Sequence, residues 1–173
     1  GRNQRIAIVL PNGPEMASAF VAIAACATAA PLNPAYKAEE FEFYISDLDA
    51  KAVVVLEGED SPVTEAAAKL NVPLIPLTPQ QGGPAGGFAL APVETGSPAA
   101  GGMAEPEDIG LILHTSGTTS RPKIVPLSQR NLAASARNIS SWLELEAGDS
   151  CLNVMPLFPI RGLIAAVLSS LYA

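Results

Sequence analysis

Five consecutive apolar residues, Ala52–Leu56, place the strongest constraint on how this chain can fold. A run without polar alternation is typical of a strand buried on both faces, as in the centre of a parallel sheet. Similar runs occur at Arg5–Leu10 and Ile109–Leu113, and segments with helical spacing, such as Lys37–Leu48, lie between them. The alternation predicts an α/β fold, with a mainly parallel sheet flanked by helices.

Weaker patterns predict the remaining elements. Helices are expected over Pro14–Ala30, Ser61–Leu70, Gln129–Leu143 and from Ile160 onward, and strands at Val72–Ile75, Ile124–Leu127 and Cys151–Val154. The alanine-rich first helix is too short and too weakly hydrophobic for a membrane span, so it is predicted to pack against the sheet. Residues 76–106 are rich in Pro and Gly without a period, which predicts a surface excursion or a mobile connector.

Composition limits the class of protein. The 173 residues suit about one domain, and 49% hydrophobic with 16% charged residues indicates a globular chain. A net charge of −7 without a basic cluster argues against a nucleic-acid partner. Cys26 and Cys151 have no metal or disulfide spacing and are predicted to be buried, reduced thiols, while Trp142 and Phe158 are predicted to be core residues.

The two ends of the sequence lack the signals of complete termini. The chain begins at Gly1 without a methionine and stops inside the apolar run 162–173. We therefore expect a fragment of a longer protein, whose missing remainder would be its partner.

The segment after the strand at Ile109–Leu113 is suited to binding an anion. It combines hydroxyl side chains, a glycine that permits close backbone approach, and cations, all of which phosphate oxygens require. The predicted phosphate-binding residues are Thr115, Ser116, Gly117, Thr118, Thr119, Ser120, Arg121, Pro122 and Lys123. A Walker P-loop does not fit, because Pro122 stands where its second glycine would be. A Ser/His/Asp hydrolase is disfavoured, since Gly-x-Ser-x-Gly is absent and His114 is the only histidine.

The residues of Thr115–Lys123, in their order along the chain, resemble the phosphate-loop signature of the AMP-forming adenylate superfamily. This superfamily includes acyl-CoA synthetases, luciferases and nonribosomal peptide adenylation domains. Five further segments resemble other parts of that family: 10–12, 31–34, 105–109, 126–132 and 155–158. The resemblance therefore covers nearly the whole chain. His114 and Ser120 resemble the oxalate–CoA ligase (peroxisomal-type CoA synthetase) branch.

The resemblance implies that residues 1–173 are part of the large N-terminal domain of an adenylate-forming enzyme, whose C-terminal domain is absent from the chain. It implies an ATP-dependent acid–thiol ligase that forms an acyl-adenylate, releases pyrophosphate and transfers the acyl group to coenzyme A. ATP, Mg²⁺ and coenzyme A are then the cofactors, a small carboxylic acid is the substrate, and the location is cytoplasmic or, in a eukaryote, peroxisomal. Residues 115–119 would bind the β- and γ-phosphates and Lys123 would neutralise charge. We expect no catalytic residue and no metal site within the chain, and no turnover by the chain alone.

Three positions need separate expectations. Ile124 follows the lysine where the family usually has glycine, and a required positive φ there would strain the loop. Pro159 replaces a family histidine near the acyl pocket, so Arg161 is predicted as a contact for an anionic substrate. His114 is predicted either to be satisfied by backbone or to contact substrate. The alternative function is a truncated or degenerate chain that only binds a nucleotide or anion, or serves as an interaction module.

Overall fold

One seven-stranded sheet forms the centre of the computed structural model of this chain, which describes residues 1–92, 101–115 and 122–173. The strands are β1 (Arg5–Val9), β2 (Thr28–Pro31), β3 (Ala52–Leu56), β4 (Leu74–Pro79), β5 (Phe88–Leu90), β6 (Ile109–Thr115) and β7 (Lys123–Ser128). Their spatial order is β5-β4-β3-β1-β2-β6-β7. The five middle strands run parallel, and β5 and β7 are antiparallel edge strands. The predicted α/β class is confirmed.

Helices cover both faces of this sheet. They are α1 (Pro14–Ala24), α2 (Ala38–Asp47), α3 (Pro62–Lys69), α4 (Gln129–Trp142) and a π-helical segment (Arg161–Leu168) that continues as α5 (Ser169–Tyr172). Strand residues alternate between the faces: Ile8 packs with α1, α4 and the π-helical segment, and Ala7 packs with α2 and α3. Within the described ranges, no helix has the length and apolar character needed to cross a bilayer.

The helix termini follow local chemistry. Ser61 and Ser128 cap α3 and α4, as predicted, by accepting bonds from backbone N–H groups two and three residues further on. Helices α2, α3 and α4 are each followed by a residue with positive φ, which turns the chain away from the helix axis. These residues are Asp49, Asn71 and Glu144, at φ of 48°, 54° and 54°.

The predicted helix over Pro14–Ala30 is wrong in its second half. Helix α1 ends at Ala24, and β2 begins four residues later and pairs with β1 and β6 near the middle of the sheet. Thr28 Oγ1 donates to the Ile109 carbonyl at 2.6 Å, which ties β2 to β6. Alanine carries too little side chain to produce either a helical or a strand period, so the pattern contains no boundary there.

The Pro/Gly-rich segment contains more regular structure than predicted. Strand β4 continues to Pro79, and β5 pairs with it antiparallel, with Leu77 opposite Leu90. Residues 80–87 connect the two strands, and Gly86 there has φ +80° with Ser18 and Pro14 close by. Residues 76–79 and 88–90 are therefore strand residues, although the absence of a period predicts no regular structure for them.

Several apolar residues predicted to be buried are exposed instead. Residues 151–154 form no strand, and Leu152 is 86% exposed. Trp142 is 85% exposed, and both Cys26 and Cys151 are exposed thiols. Helical spacing and apolar character predict which side chains can be buried, but they do not show whether another segment of the protein covers them.

The N-terminus is fastened to the segment before β6 by charged groups. Arg2 Nε donates to Asp108 Oδ2 at 2.6 Å, Asn3 donates to Asp108 Oδ1 at 2.7 Å, and the Glu105 N–H donates to Oδ2 at 2.8 Å. The bond from Arg2, followed by that from the Glu105 N–H, lowers the pKa of Asp108 from 3.8 to about 2. This arrangement fixes the start of the strand that leads to the predicted loop.

Candidate functional site

The candidate site lies at the edge of the sheet where the parallel strands end. Because β1, β2 and β6 are parallel neighbours, the residues that follow them emerge on the same side. Strand β2 lies beside β1 on one side, and β3, the next strand in the chain, lies beside β1 on the other side, so the strand order reverses at β1. In open α/β sheets this reversal of strand order is where ligands bind.

The two ends of the predicted phosphate loop lie at this edge. Thr115 ends β6, Lys123 begins β7, and the two are partners in the antiparallel pairing. Both side chains are exposed, and Pro122 is half-buried beside them. The other predicted loop residues, Ser116, Gly117, Thr118, Thr119, Ser120 and Arg121, lie outside the described residues.

Ile124 is an ordinary strand residue. It pairs with His114, has no positive φ, and packs against the core cluster formed with α2 and α3. A β-branched side chain suits this half-buried strand position. The prediction of a strained loop at Ile124 is therefore wrong for the backbone of this residue.

His114 has a carboxylate partner rather than a backbone one. Its Nε2 lies 3.0 Å from Asp47 Oδ2, and its side chain is only 7% exposed. The ring meets Tyr44 edge to face, with centroids 4.7 Å apart, and Tyr44 in turn stacks on Tyr36 at 4.8 Å. The predicted backbone partner for His114 is wrong, because helix α2 supplies the acceptor.

A cavity of about 290 Å³ opens beside this histidine. Leu32, Tyr36, His114 and Phe158 contribute to its wall, which is mainly apolar. Pro159 and Ile160 also line the cavity, whereas Arg161 is exposed and does not. The structure thus brings His114 and the segment after Met155 together but leaves the Arg161 side chain outside.

The same segment is attached to the end of β1. Asn12 Oδ1 accepts a hydrogen bond from the Leu157 N–H at 2.9 Å, and Leu157 is 6% exposed. A few residues later, Gly162 packs so closely that an added Cβ would lie 2.1 Å from the Pro156 carbonyl oxygen. These contacts determine where Phe158 and Pro159 face the cavity.

Sequence reasoning did not assign roles to Asn12, Asp47 or Tyr44. Asn12 carried a usable signal, because a polar residue directly after a buried strand stands at the ligand-binding edge. Asp47 and Tyr44 carried none, since they lie 67 and 70 residues from His114 on an amphipathic helix, by their numbering. Among the residues the structure describes, no group of three or more His, Cys, Asp or Glu could hold a metal ion.

Comparison with known proteins agrees with this arrangement. The AMP-binding enzyme profile matches residues 1–173, the whole chain. The chain belongs to the AMP-binding enzyme family. It is 45% identical over 170 residues to an oxalate–CoA ligase of Arabidopsis thaliana, covering 97% of this chain and 33% of that protein. It is 34% identical over 192 residues to an oxalate–CoA ligase of Saccharomyces cerevisiae, covering 98% and 35%.

Solved structures of the family have the same fold. The ATP-bound crystal structure of MatB from Rhodopseudomonas palustris matches with a TM-score of 0.75 and 25% identity, covering 100% of this chain and 34% of MatB. The chain thus spans about a third of the length of the relatives it matches. The predicted membership of the AMP-forming superfamily, with CoA ligases including oxalate–CoA ligases as relatives, is confirmed.

Proposed function

We propose that the protein carrying this chain is an ATP-dependent carboxylate–CoA ligase. A carboxylate oxygen of the acid attacks the α-phosphorus of MgATP, and the bond to the β-phosphate breaks to release pyrophosphate. The sulfur of coenzyme A then attacks the acyl carbon, and AMP leaves. The chain contributes the phosphate-binding part of the site, and we propose that it has no turnover by itself.

The observation that carries this proposal is the position of the loop ends. Thr115 and Lys123 are paired and exposed at the carboxyl edge of the parallel sheet, where this fold class binds nucleotides. Two relatives, which are 45% and 34% identical to the chain, are named as oxalate–CoA ligases. The sequence between the two loop ends contains four hydroxyl side chains and one glycine.

Residues 115–119 are proposed to bind the β- and γ-phosphates, with Ser120, Arg121 and Pro122 completing the loop. Lys123 would place an ammonium group near the negative charge that shifts to pyrophosphate as the bond breaks. Mg²⁺ belongs to the substrate MgATP in this scheme. The described residues supply no cluster that would bind the ion on their own.

The acid is proposed to be small and anionic at its far end, as oxalate is. Arg161 directly follows the cavity-lining Ile160, and its exposed guanidinium is the proposed contact for that anionic group. Pro159 adds no donor at the position where the family usually has a histidine. A substrate contact by His114 is the less favoured alternative, because its side chain is almost fully buried.

We propose a cytoplasmic location for the protein, or a peroxisomal one in a eukaryote.

Acid-dependent release of pyrophosphate from MgATP, measured on the longest form of the protein, tests this function. Oxalate, malonate and acetate would be compared as substrates. The Lys123→Ala variant should lower the rate by about 100- to 1,000-fold, as loss of one preorganised group at developing charge does. Lys51→Ala is the matched control, because Lys51 is an exposed lysine paired only with Asp49 among the described contacts, and it should keep the wild-type rate.

Two results would contradict the proposal. Unchanged adenylation in Lys123→Ala would remove this lysine from the mechanism. MgATP binding without pyrophosphate release for any acid would favour the alternative, a module that binds a nucleotide but does not react it.

A further inference from the structure

We propose that His114 and Asp47 form a positioning pair, which holds the paired ends of β6 and β7 against helix α2. The role is to fix the two residues from which the phosphate loop departs, Thr115 and Lys123. The inference rests on the proposed function in so far as it concerns MgATP. It assigns His114 the role of positioning Thr115 and Lys123, whereas the sequence predicts a hydrogen bond to backbone or a contact with substrate.

The pairing of β6 with β7 places His114 where it can hold both ends of the loop. His114 directly precedes Thr115, and its partner across the strands, Ile124, directly follows Lys123. One side-chain contact at this pair of residues therefore restrains both ends of the loop together. A small rotation of the His114 backbone would move Thr115 and Lys123 in the same step.

The chemistry of the contact defines the imidazole. A carboxylate can only accept hydrogen bonds, so His114 Nε2 must carry the hydrogen that it shares with Asp47 Oδ2 at 3.0 Å. Tyr44 lies three residues before Asp47 on the same face of α2 and contacts the ring edge to face. Helix α2 thus fixes the imidazole from two directions.

The burial of the His114 side chain argues against two other roles for this residue, a contact with substrate and a part of the cavity wall only. A side chain that is 7% exposed and already bonded through Nε2 has little capacity to contact a substrate. A residue that merely filled the wall of this mainly apolar cavity would be best served by Leu or Phe, because a buried imidazole without its partner is costly. A charged acceptor aimed at the histidine from another element, 67 residues away in sequence, is what anchoring requires.

The test uses the full-length protein, four variants of the pair and one control variant. His114→Leu and Asp47→Ala each remove the bond, the double variant removes both partners, and His114→Gln keeps an N–H donor near the position of Nε2. Asp60→Ala is the matched control, since Asp60 is an exposed aspartate in the loop before α3. The measurements are KM for MgATP and for the acid, direct MgATP titration, and hydrogen exchange of peptides that cover β6 and β7.

His114→Leu and Asp47→Ala should each raise KM for MgATP about tenfold, the scale of one hydrogen bond to a charged group. KM for the acid should stay within about twofold. The double variant should be no worse than either single one, because both remove the same interaction. His114→Gln should recover most of the loss, and the ends of β6 and β7 should exchange faster in His114→Leu and Asp47→Ala but not in Asp60→Ala.

Three outcomes would overturn the inference: folded variants with a wild-type KM for MgATP, additive losses in the double variant, or a rise in KM for the acid alone. Failure of the proposed function gives a different result, namely no pyrophosphate release by the wild type. Hydrogen exchange then decides the anchoring by itself. Faster exchange at the strand ends in the variants supports the pair, and unchanged exchange refutes it.

Discussion

Replacing Gly162 by alanine should destabilise the protein, although alanine is the better helix former. Gly162 is buried in the π-helical segment, and a Cβ there would lie 2.1 Å from the Pro156 carbonyl oxygen and 3.0 Å from its carbon. A carbon and an oxygen that are not bonded need more than 3 Å, so the two segments must separate by about 1 Å. The obstacle is backbone, which cannot be relieved by a change of rotamer.

Two opposing terms set the magnitude. Alanine in place of glycine favours a helix by about 1 kcal/mol. Overpacking in a well-packed region costs about 1–3 kcal/mol and more when backbone must move. The clash should dominate, with a net loss of about 1–2 kcal/mol, which lowers Tm by about 2–8 °C for a chain of this size.

Urea unfolding followed by circular dichroism measures this effect. Gly148→Ala is the matched control, because Gly148 lies in an exposed turn and an added Cβ meets no atom within 4 Å. Its stability should change by less than about 0.5 kcal/mol. If Gly162→Ala is as stable as Gly148→Ala, the close approach of the π-helical segment to Pro156 does not exist in solution.

Two further predictions concern residues that support the site. Asp108→Asn should lower stability at neutral pH, because Asp108 stays ionised in the folded protein down to a pKa of about 2, below the unfolded value of 3.8. The stabilisation is present above pH 4 and disappears toward pH 2, so the difference between wild type and variant in urea midpoint should shrink over that range; a constant difference would contradict the bond from Arg2. Ile124→Gly should destabilise by about 1–3 kcal/mol, since it removes a half-buried side chain from a strand. Ile124→Val should cost less than about 1.5 kcal/mol, and a stabilised glycine variant would restore the idea of strain at this position.

The parts of the fold that followed from sequence are those with a strong period or clear boundaries. The run at 52–56, the amphipathic helix α2 and the serine caps of α3 and α4 appear as predicted. Strand β2 was not predicted, because Thr28–Pro31 continues an alanine-rich stretch without any change of pattern. Residues 151–154 show the reverse error, since the apolar run predicts a strand and the structure described has none there.

The site was predictable to a different extent. The chemistry of residues 115–123 can be interpreted locally, because phosphate binding requires hydroxyls, glycine and a cation close together in sequence. The partner of His114 could not be found this way. Asp47 is one of several acidic residues on α2, and only the tertiary packing of that helix selects it.

The bond between Asn12 and Leu157 has a consequence for the order of folding. It joins residues 145 positions apart, so the cost of closing that loop must be met before the contact contributes. At synthesis rates of about 5–20 residues per second, the two residues leave the ribosome roughly 7–30 s apart. Strands β1 to β4 and their helices pair over short separations and can form within that interval. The contact that positions the segment beside the proposed nucleotide site therefore forms late in synthesis, after strands β1 to β4 have had time to pair.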